Sequence, residues 1–349
     1  NNSKINLLKN MKKKFIHLIL AFAASCMSLF AQGVTVTLTT DTGMSRPAGI
    51  SKAEQNLGIV LSEINAACSA DRTLQTKDLP MDQFAIESLT MLWANLKFYC
   101  DDSEVVERLW VFEGNRCMQV NHIPLMIKNP DKPGTEVYQE AVVEFDLQGK
   151  ITDFRFAIDA QTAESMENCG ETATKEQQMQ ILQFVERFRT AYNTKDLAFM
   201  KQVFSDDALI ITGKVVTTRS TDMQPVSKVS YTKQTKQQYM NNLAICFKRN
   251  KWIDVKFSNI GENGEQGGCA GITKTVKNGK EFFGVRLRQE WRSANYSDEG
   301  YVFLLWEFPE NGSPIIHVRT WQPEWVGGEK LAEEDIFSLS DFEEALGSM

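Results

Sequence analysis

Twice along this chain a hydroxyl residue followed three positions later by Glu or Gln opens a run of apolar residues at helical spacing, and each time helices give way to long alternating strands. In the first half Ser51-x-x-Glu54 precedes Leu57, Val60, Leu61, Ile64 and Cys68. Asp82 opens a second helix bearing Ile86, Leu89, Trp93, Leu96 and Cys100, and strands are expected at 105–113, 116–127, 137–146 and 151–158, the last two joined by a turn at Leu147-Gln148-Gly149-Lys150. In the second half Thr174-x-x-Gln177 precedes Ile181, Phe184, Val185, Phe188, Ala191 and Tyr192. A short helix through Leu197, Met200, Val203 and Phe204, a turn at Asp206-Asp207 and a strand at Leu209-Ile210-Ile211 follow. A third helix carries Tyr239, Met240, Leu243, Cys246 and Phe247, and its basic end, Lys248-Arg249, suits a helix C-terminus. Strands are expected near 252–260, 269–277, 281–292, 300–308 and 314–321. Segregated helices and strands argue α+β, and 349 residues suit two tandem domains. These are placed at 34–159 and 179–326, with a linker at 160–178 and an acidic tail at 327–349, which is expected to be solvated or to dock on a partner.

The first 31 residues read as processing signal. Met11-Lys12-Lys13-Lys14 and the apolar run from Phe15 form the n- and h-regions of a secretory signal peptide ending near Ala31, with residues 1–10 an upstream extension. Export to the periplasm or the extracellular space is therefore expected, with no stable membrane span after processing. Lipid attachment through Cys26 is the competing reading. Without its five lysines the remainder has 33 basic against 45 acidic residues, a net charge of −12, which disfavours nucleic acid as a partner. Six cysteines remain, of which Cys68, Cys100 and Cys246 sit on apolar stripes and are read as core, while nothing in the spacing selects disulfides among them. No C-x-x-C, H-E-x-x-H or G-x-S-x-G occurs, and Gly261-x-x-Gly264-x-x-Gly267-Gly268 reads as a hairpin loop, so neither metal nor cofactor is expected.

The run ILQFVERFRTAYNTKDLAFMKQVFSDDALIITG from Ile181 to Gly213, the third helix and the closing hairpin resemble the nuclear transport factor 2-like, or SnoaL-like, superfamily. The likeness covers about 175–325. The first half shares mainly the closing strands from Val142 to Ile158. The resemblance implies a cystatin-like α+β fold in which a curved sheet wraps the first helix around a cone-shaped cavity. It also implies that members are either enzymes or binders of ligands and partners.

Aromatic residues with a few polar groups are what such a cavity needs. On 281–292, Phe283, Val285, Leu287 and Trp291 share one face, and Arg286, Arg288, Glu290 and Arg292 the other. Phe283, Leu287, Trp291 and Trp306, with Tyr192 as polar anchor, are the ligand-binding candidates. On the last strand Ile316 and Val318 form the apolar set, which turns His317, Arg319 and Trp321 toward the outer surface. With Arg286 and Arg288 they are the partner-binding candidates, cavity lining being the other reading of these three. The expected function is an exported, non-catalytic protein of the cell envelope that binds a small hydrophobic ligand or an envelope protein, with homodimerisation through sheet faces open. The alternative is a SnoaL-like acid-base enzyme, of isomerase or lyase type, for which no carboxylate can be assigned to the cavity.

Overall fold

The structure, a computed structural model, describes residues 33–40, 46–112, 117–159, 162–163, 166, 172–219, 225–260, 272–309 and 313–343. The chain divides into two units between Phe154 and Arg155, with Pro130–Pro133 counted in the second. The signal-like segment, the Gly261–Gly268 loop, Cys169 and Cys269 lie outside the described residues.

In the first unit strand β1 (Thr35–Thr39) precedes helices α1 (Ile50–Ser69) and α2 (Gln83–Asn95). Strands β2 (Phe98–Tyr99), β3 (Glu104–Phe112), β4 (Cys117–Lys128), β5 (Glu136–Asp146) and β6 (Ile151–Phe156) follow. The sheet runs β1-β3-β4-β5-β6 with β2 against β4, and β1 lies parallel to β3. Asp82 caps α2, accepting from Ala85 N at 2.8 Å. The box expected at Ser51 is not formed. Helix α1 starts at Ile50 after Gly49 without a side-chain cap, and Glu54 instead accepts from Leu38 N at 2.9 Å and pairs with Arg46. The carboxylate therefore closes the outer edge of β1, a strand too short to stand out in the sequence. At the β5–β6 turn Asp146 Oδ1 accepts from Gln148 N and Lys150 N, and Gly149 takes φ +85°, a conformation that glycine adopts without strain.

In the second unit helix α3 (Lys175–Asn193) carries the expected capping box of Thr174 and Gln177, and Asp196 caps α4 (Leu197–Val203). Strand β7 (Phe204–Arg219) runs straight through Asp206-Asp207, where a turn was expected. Its partner strand meets Phe204 with Ile316 and Leu209 with Val318, so the two aspartates bulge out of the ladder. Strand β8 (Pro225–Gln234), a polar Ser/Lys/Thr segment with no apolar alternation to betray it, pairs along β7. Helix α5 (Lys236–Arg249) has a second box, Thr235 with Gln238. Strands β9 (Ile253–Ser258), β10 (Ile272–Lys277), β11 (Lys280–Ser293), β12 (Tyr296–Glu307) and β13 (Ile315–Pro323) complete a sheet ordered β10-β11-β12-β13-β7-β8, with β9 against β11 and β13 parallel to β7.

The inner face of this curved sheet packs on α3. Phe283, Val285, Leu287, Val302, Leu304 and Trp306 meet Ile181, Val185 and Phe188, and Met166 and Ala173, from the stretch read as a linker, join the same core. The outer face is apolar as well, with Ile211, Phe282, Phe303, Leu305 and Val318. It is covered by the tail. After the short hairpin β14 (Trp325–Val326) and β15 (Glu329–Lys330), the chain docks Leu339 and Phe342 there, with the Phe342 ring stacked on Phe303 at 5.4 Å. Gln322 clamps the segment, donating to Asp335 O and accepting from Phe337 N. The expectation of a solvated or partner-docking tail is thus corrected for its described residues: Glu334, Asp335 and Asp341 are exposed while Leu339 and Phe342 close the chain's own sheet.

Candidate functional site

Three elements bring polar side chains together at the inner face of the second unit. Tyr192, from the last turn of α3, and Tyr239, from the first turn of α5, share a buried hydroxyl–hydroxyl hydrogen bond of 2.6 Å. Arg319 of β13 lies with its guanidinium 5.1 Å from the Tyr239 ring centroid. Burial pushes the guanidinium down, yet the Tyr192 and Tyr239 hydroxyls and the Asp298 carboxyl beside it hold it above its ordinary value. Burial drives Tyr239 well up against the pull of Arg319.

Arg319 reaches this face through a bulge. Between Leu305/Trp306 and Ile316/Val318 the β12–β13 register shifts, so Ile316 points inward, Val318 outward, and Arg319 and Trp321 inward again opposite Leu304 and Val302. The outward placement expected for Arg319 and Trp321 is therefore corrected, because an extra residue inverts the alternation beyond it. His317 stays on the outer side, edge-on to the Phe282 ring, with Nε2 2.8 Å from Glu307 Oε2. Of the other partner candidates, Arg286 lies 3.7 Å from Glu333 of the tail, and Arg288 is held by Glu290, Glu299 and Glu324.

Above the tyrosines the Trp291 ring packs edge-on against Tyr192 at 5.6 Å. Trp291 and Trp321 line a cavity of about 580 Å³ together with Tyr296 and Asp298, and a second cavity of about 520 Å³ shares Trp291 and Tyr296. Asp298 accepts from the Tyr296 hydroxyl at 2.7 Å through Oδ2, while its buried Oδ1 has no partner among the described residues. Burial raises this carboxyl above its usual range, against the Tyr296 bond and the field of Arg319. Trp321 Nε1 and Arg319 Nε are likewise buried without a partner there.

Among the ligand-binding candidates only Trp291 lines a described cavity. Phe283, Leu287 and Trp306 are core residues at 0–1% exposure, and Tyr192 lies beneath Trp291. Tyr239 and Asp298 were not singled out from the sequence. Tyr239 read as one more apolar position of its helix, and Asp298 fell before the expected start of its strand at 300. Among the described residues no group of three or more His, Cys, Asp and Glu could hold a metal, and no described helix is long and apolar enough to cross a membrane. Cys68 and Cys100 are buried, and Cys117 and Cys246 are half-buried, with burial pushing the Cys100 thiol up to about 11.

Element order and sheet register define the second unit as an α+β domain in which a curved sheet packs its inner face on α3, beside a cavity lined by Trp291 and Trp321. Comparison with solved structures finds ActVI-ORFA from Streptomyces coelicolor at 10% identity, covering 42% of this chain and 96% of that one with a TM-score of 0.27. An NTF2-like protein from Cytophaga hutchinsonii is similar at 10% identity, over 41% of this chain and 94% of its own, with a TM-score of 0.25. Kfla4162 protein from Kribbella flavida matches at 10% identity over 44% and 95% of the two chains, with a TM-score of 0.29. No family model and no curated protein matches the sequence.

Proposed function

We propose that this protein is exported and acts in the cell envelope as a non-catalytic ligand-binding protein, with the cavity between Trp291 and Trp321 as the seat of a small apolar molecule. One observation carries the reading: at that cavity two indole rings meet buried polar atoms of Asp298 and Trp321 that lack partners among the described residues. Apolar walls with few convergent polar groups, in a volume of about 580 Å³, are the features of a small-molecule site. The acid-base alternative draws on the raised Asp298 carboxyl in the same cavity. Binding is favoured because the hydrogen-bond partner of the Tyr192 hydroxyl is Tyr239 rather than a carboxylate.

Calorimetric titration of the full chain with 4-phenylbutyramide, a neutral apolar probe, tests the cavity. Saturable binding that weakens in Trp291→Phe is expected, and no saturable binding of this amide or of its parent acid would overturn the reading. Export is tested by intact mass of protein from the native envelope, which should lack residues through about Ala31. Retention of residues 15–31 would defeat it, and a lipid-modified Cys26 would move the protein to the anchored class.

A further inference from the structure

On the inner face of the sheet one carboxylate stands between two indoles. Asp298 of β12 is the cross-strand partner of Trp291 on β11, which puts the two side chains on one face of neighbouring strands. The next residue of β12 on that face is Gly300, where a Cβ would stand 2.9 Å from Cε2 and Cζ2 of Trp321. The missing side chain lets the Trp321 ring lie against β12 beside Asp298. Trp325 and Tyr296, 53% and 58% exposed, carry the aromatic wall toward solvent, so four rings and Asp298 share the cavity of about 580 Å³. The Tyr296 hydroxyl donates to Asp298 Oδ2 at 2.7 Å and orients the carboxylate, whose Oδ1 receives no donor among the described residues.

The charges around these rings favour a cation. Glu290 and Glu299 also line the cavity, and they share a single guanidinium, that of Arg288, with Glu324. Of the basic lining residues, Arg292 pairs with Asp254 at 3.1 Å, and Lys214 is exposed to solvent, where its field is weak. Arg319 acts on Asp298 through space from outside the lining, where the Tyr192 hydroxyl holds it. We propose that the cavity takes an organic cation, a protonated amine whose nitrogen donates to Asp298 between Trp291 and Trp321 while its apolar body lies along Trp325 and Tyr296. The inference rests on the ligand-binding reading of the same cavity and adds the chemical class of the ligand. Two features select it. Indole and phenol rings attract a positive charge through their quadrupole, which a neutral or anionic head group does not exploit. The carboxylate oxygen without a donor calls for an N–H, which a protonated amine supplies and a quaternary ammonium lacks.

The test compares 4-phenylbutylamine, protonated at neutral pH, with 4-phenylbutyramide, which shares its chain and ring but is neutral, by calorimetry on the full chain. The amine is expected to bind at least roughly tenfold more tightly, the margin of a charge-assisted hydrogen bond over a neutral one. Asp298→Asn keeps the shape of the side chain and removes its charge, and should bring the amine to within about twofold of the amide. Because Asp298 is half-buried, the second variant is placed at an exposed ring. Trp325→Leu keeps an apolar side chain and removes the quadrupole, and should cut the amine's advantage by roughly threefold while the amide stays within about twofold. Equal affinities for amine and amide in the unmodified protein would overturn the cation site while leaving the cavity reading intact, and no binding of either would overturn both. A preference for the amine that is undiminished in a folded Asp298→Asn, or undiminished in Trp325→Leu, would equally overturn the assignment.

Discussion

Tyr192 was attractive in the sequence as a lone polar group on an apolar helical face, and the structure gives its hydroxyl a partner in the Tyr239 hydroxyl at 2.6 Å. That bond changes what its removal costs. With a free hydroxyl, Tyr192→Phe would leave stability nearly unmoved. Here it leaves the Tyr239 hydroxyl, 8% exposed at residue level, without its partner and takes a neighbour from Arg319. Urea unfolding of Tyr192→Phe should show a loss of about 1–3 kcal/mol, the cost of an orphaned buried polar group. The double variant with Tyr239→Phe should cost less than the two single losses added together, since the two hydroxyls share one bond. A single-variant loss indistinguishable from zero would mean that the hydroxyls are not coupled in solution.

At the scale of the element, two similar sequence boxes have different fates, and the reason is tertiary. Thr174 and Gln177 exchange both bonds, Gln177 N donating to Thr174 Oγ1 at 3.3 Å and Thr174 N to Gln177 Oε1 at 3.0 Å. At Ser51 the helix has already begun one residue earlier, and Glu54 is drawn away to Leu38 N and Arg46. Thr174→Ala is therefore expected to lower stability by about 1 kcal/mol, the usual worth of an N-cap, while the exposed Ser51→Ala changes it by no more than about 0.5 kcal/mol. Chemical denaturation of the two variants side by side checks the contrast. Equal losses would mean that α1 is capped by Ser51 in solution after all.

At the scale of the whole molecule, the C-terminal segment is part of the second unit's fold. Leu339 and Phe342 are 6% and 4% exposed against the outer sheet face, and Gln322 bonds to the backbone at Asp335 and Phe337. Phe342→Ala should cost roughly 3–5 kcal/mol, as for other buried aromatic truncations, and should expose enough of Phe303 and Val318 to bind an environment-sensitive apolar dye. A change inside about 0.5 kcal/mol without dye binding would return the segment to solvent. The same cover occupies the region of the outer face around Phe303 and Val318, which an approaching second copy would have to displace.

How much of this was legible follows from the range of the forces involved. Helical and strand periodicity are local, so α1, α2, α3, α5 and the long strands β4, β5, β11 and β13 could be read within a few residues of their ends. Short β1 and polar β8 could not, because what makes them strands is a neighbour to pair with rather than a pattern of their own. The candidate site divides along the same line. Trp291 could be assigned to the inner face because its strand alternates without interruption from Phe283, whereas Arg319 and Trp321 lie beyond a one-residue bulge that no periodicity announces. Residue types and local order thus determined by themselves two helix-then-strand units, an acidic surface and an aromatic-rich final hairpin. Which face Arg319 presents, that Tyr192 meets Tyr239, and that the tail folds back on its own sheet were decided only by the tertiary structure, since each depends on register and contacts between segments distant along the chain.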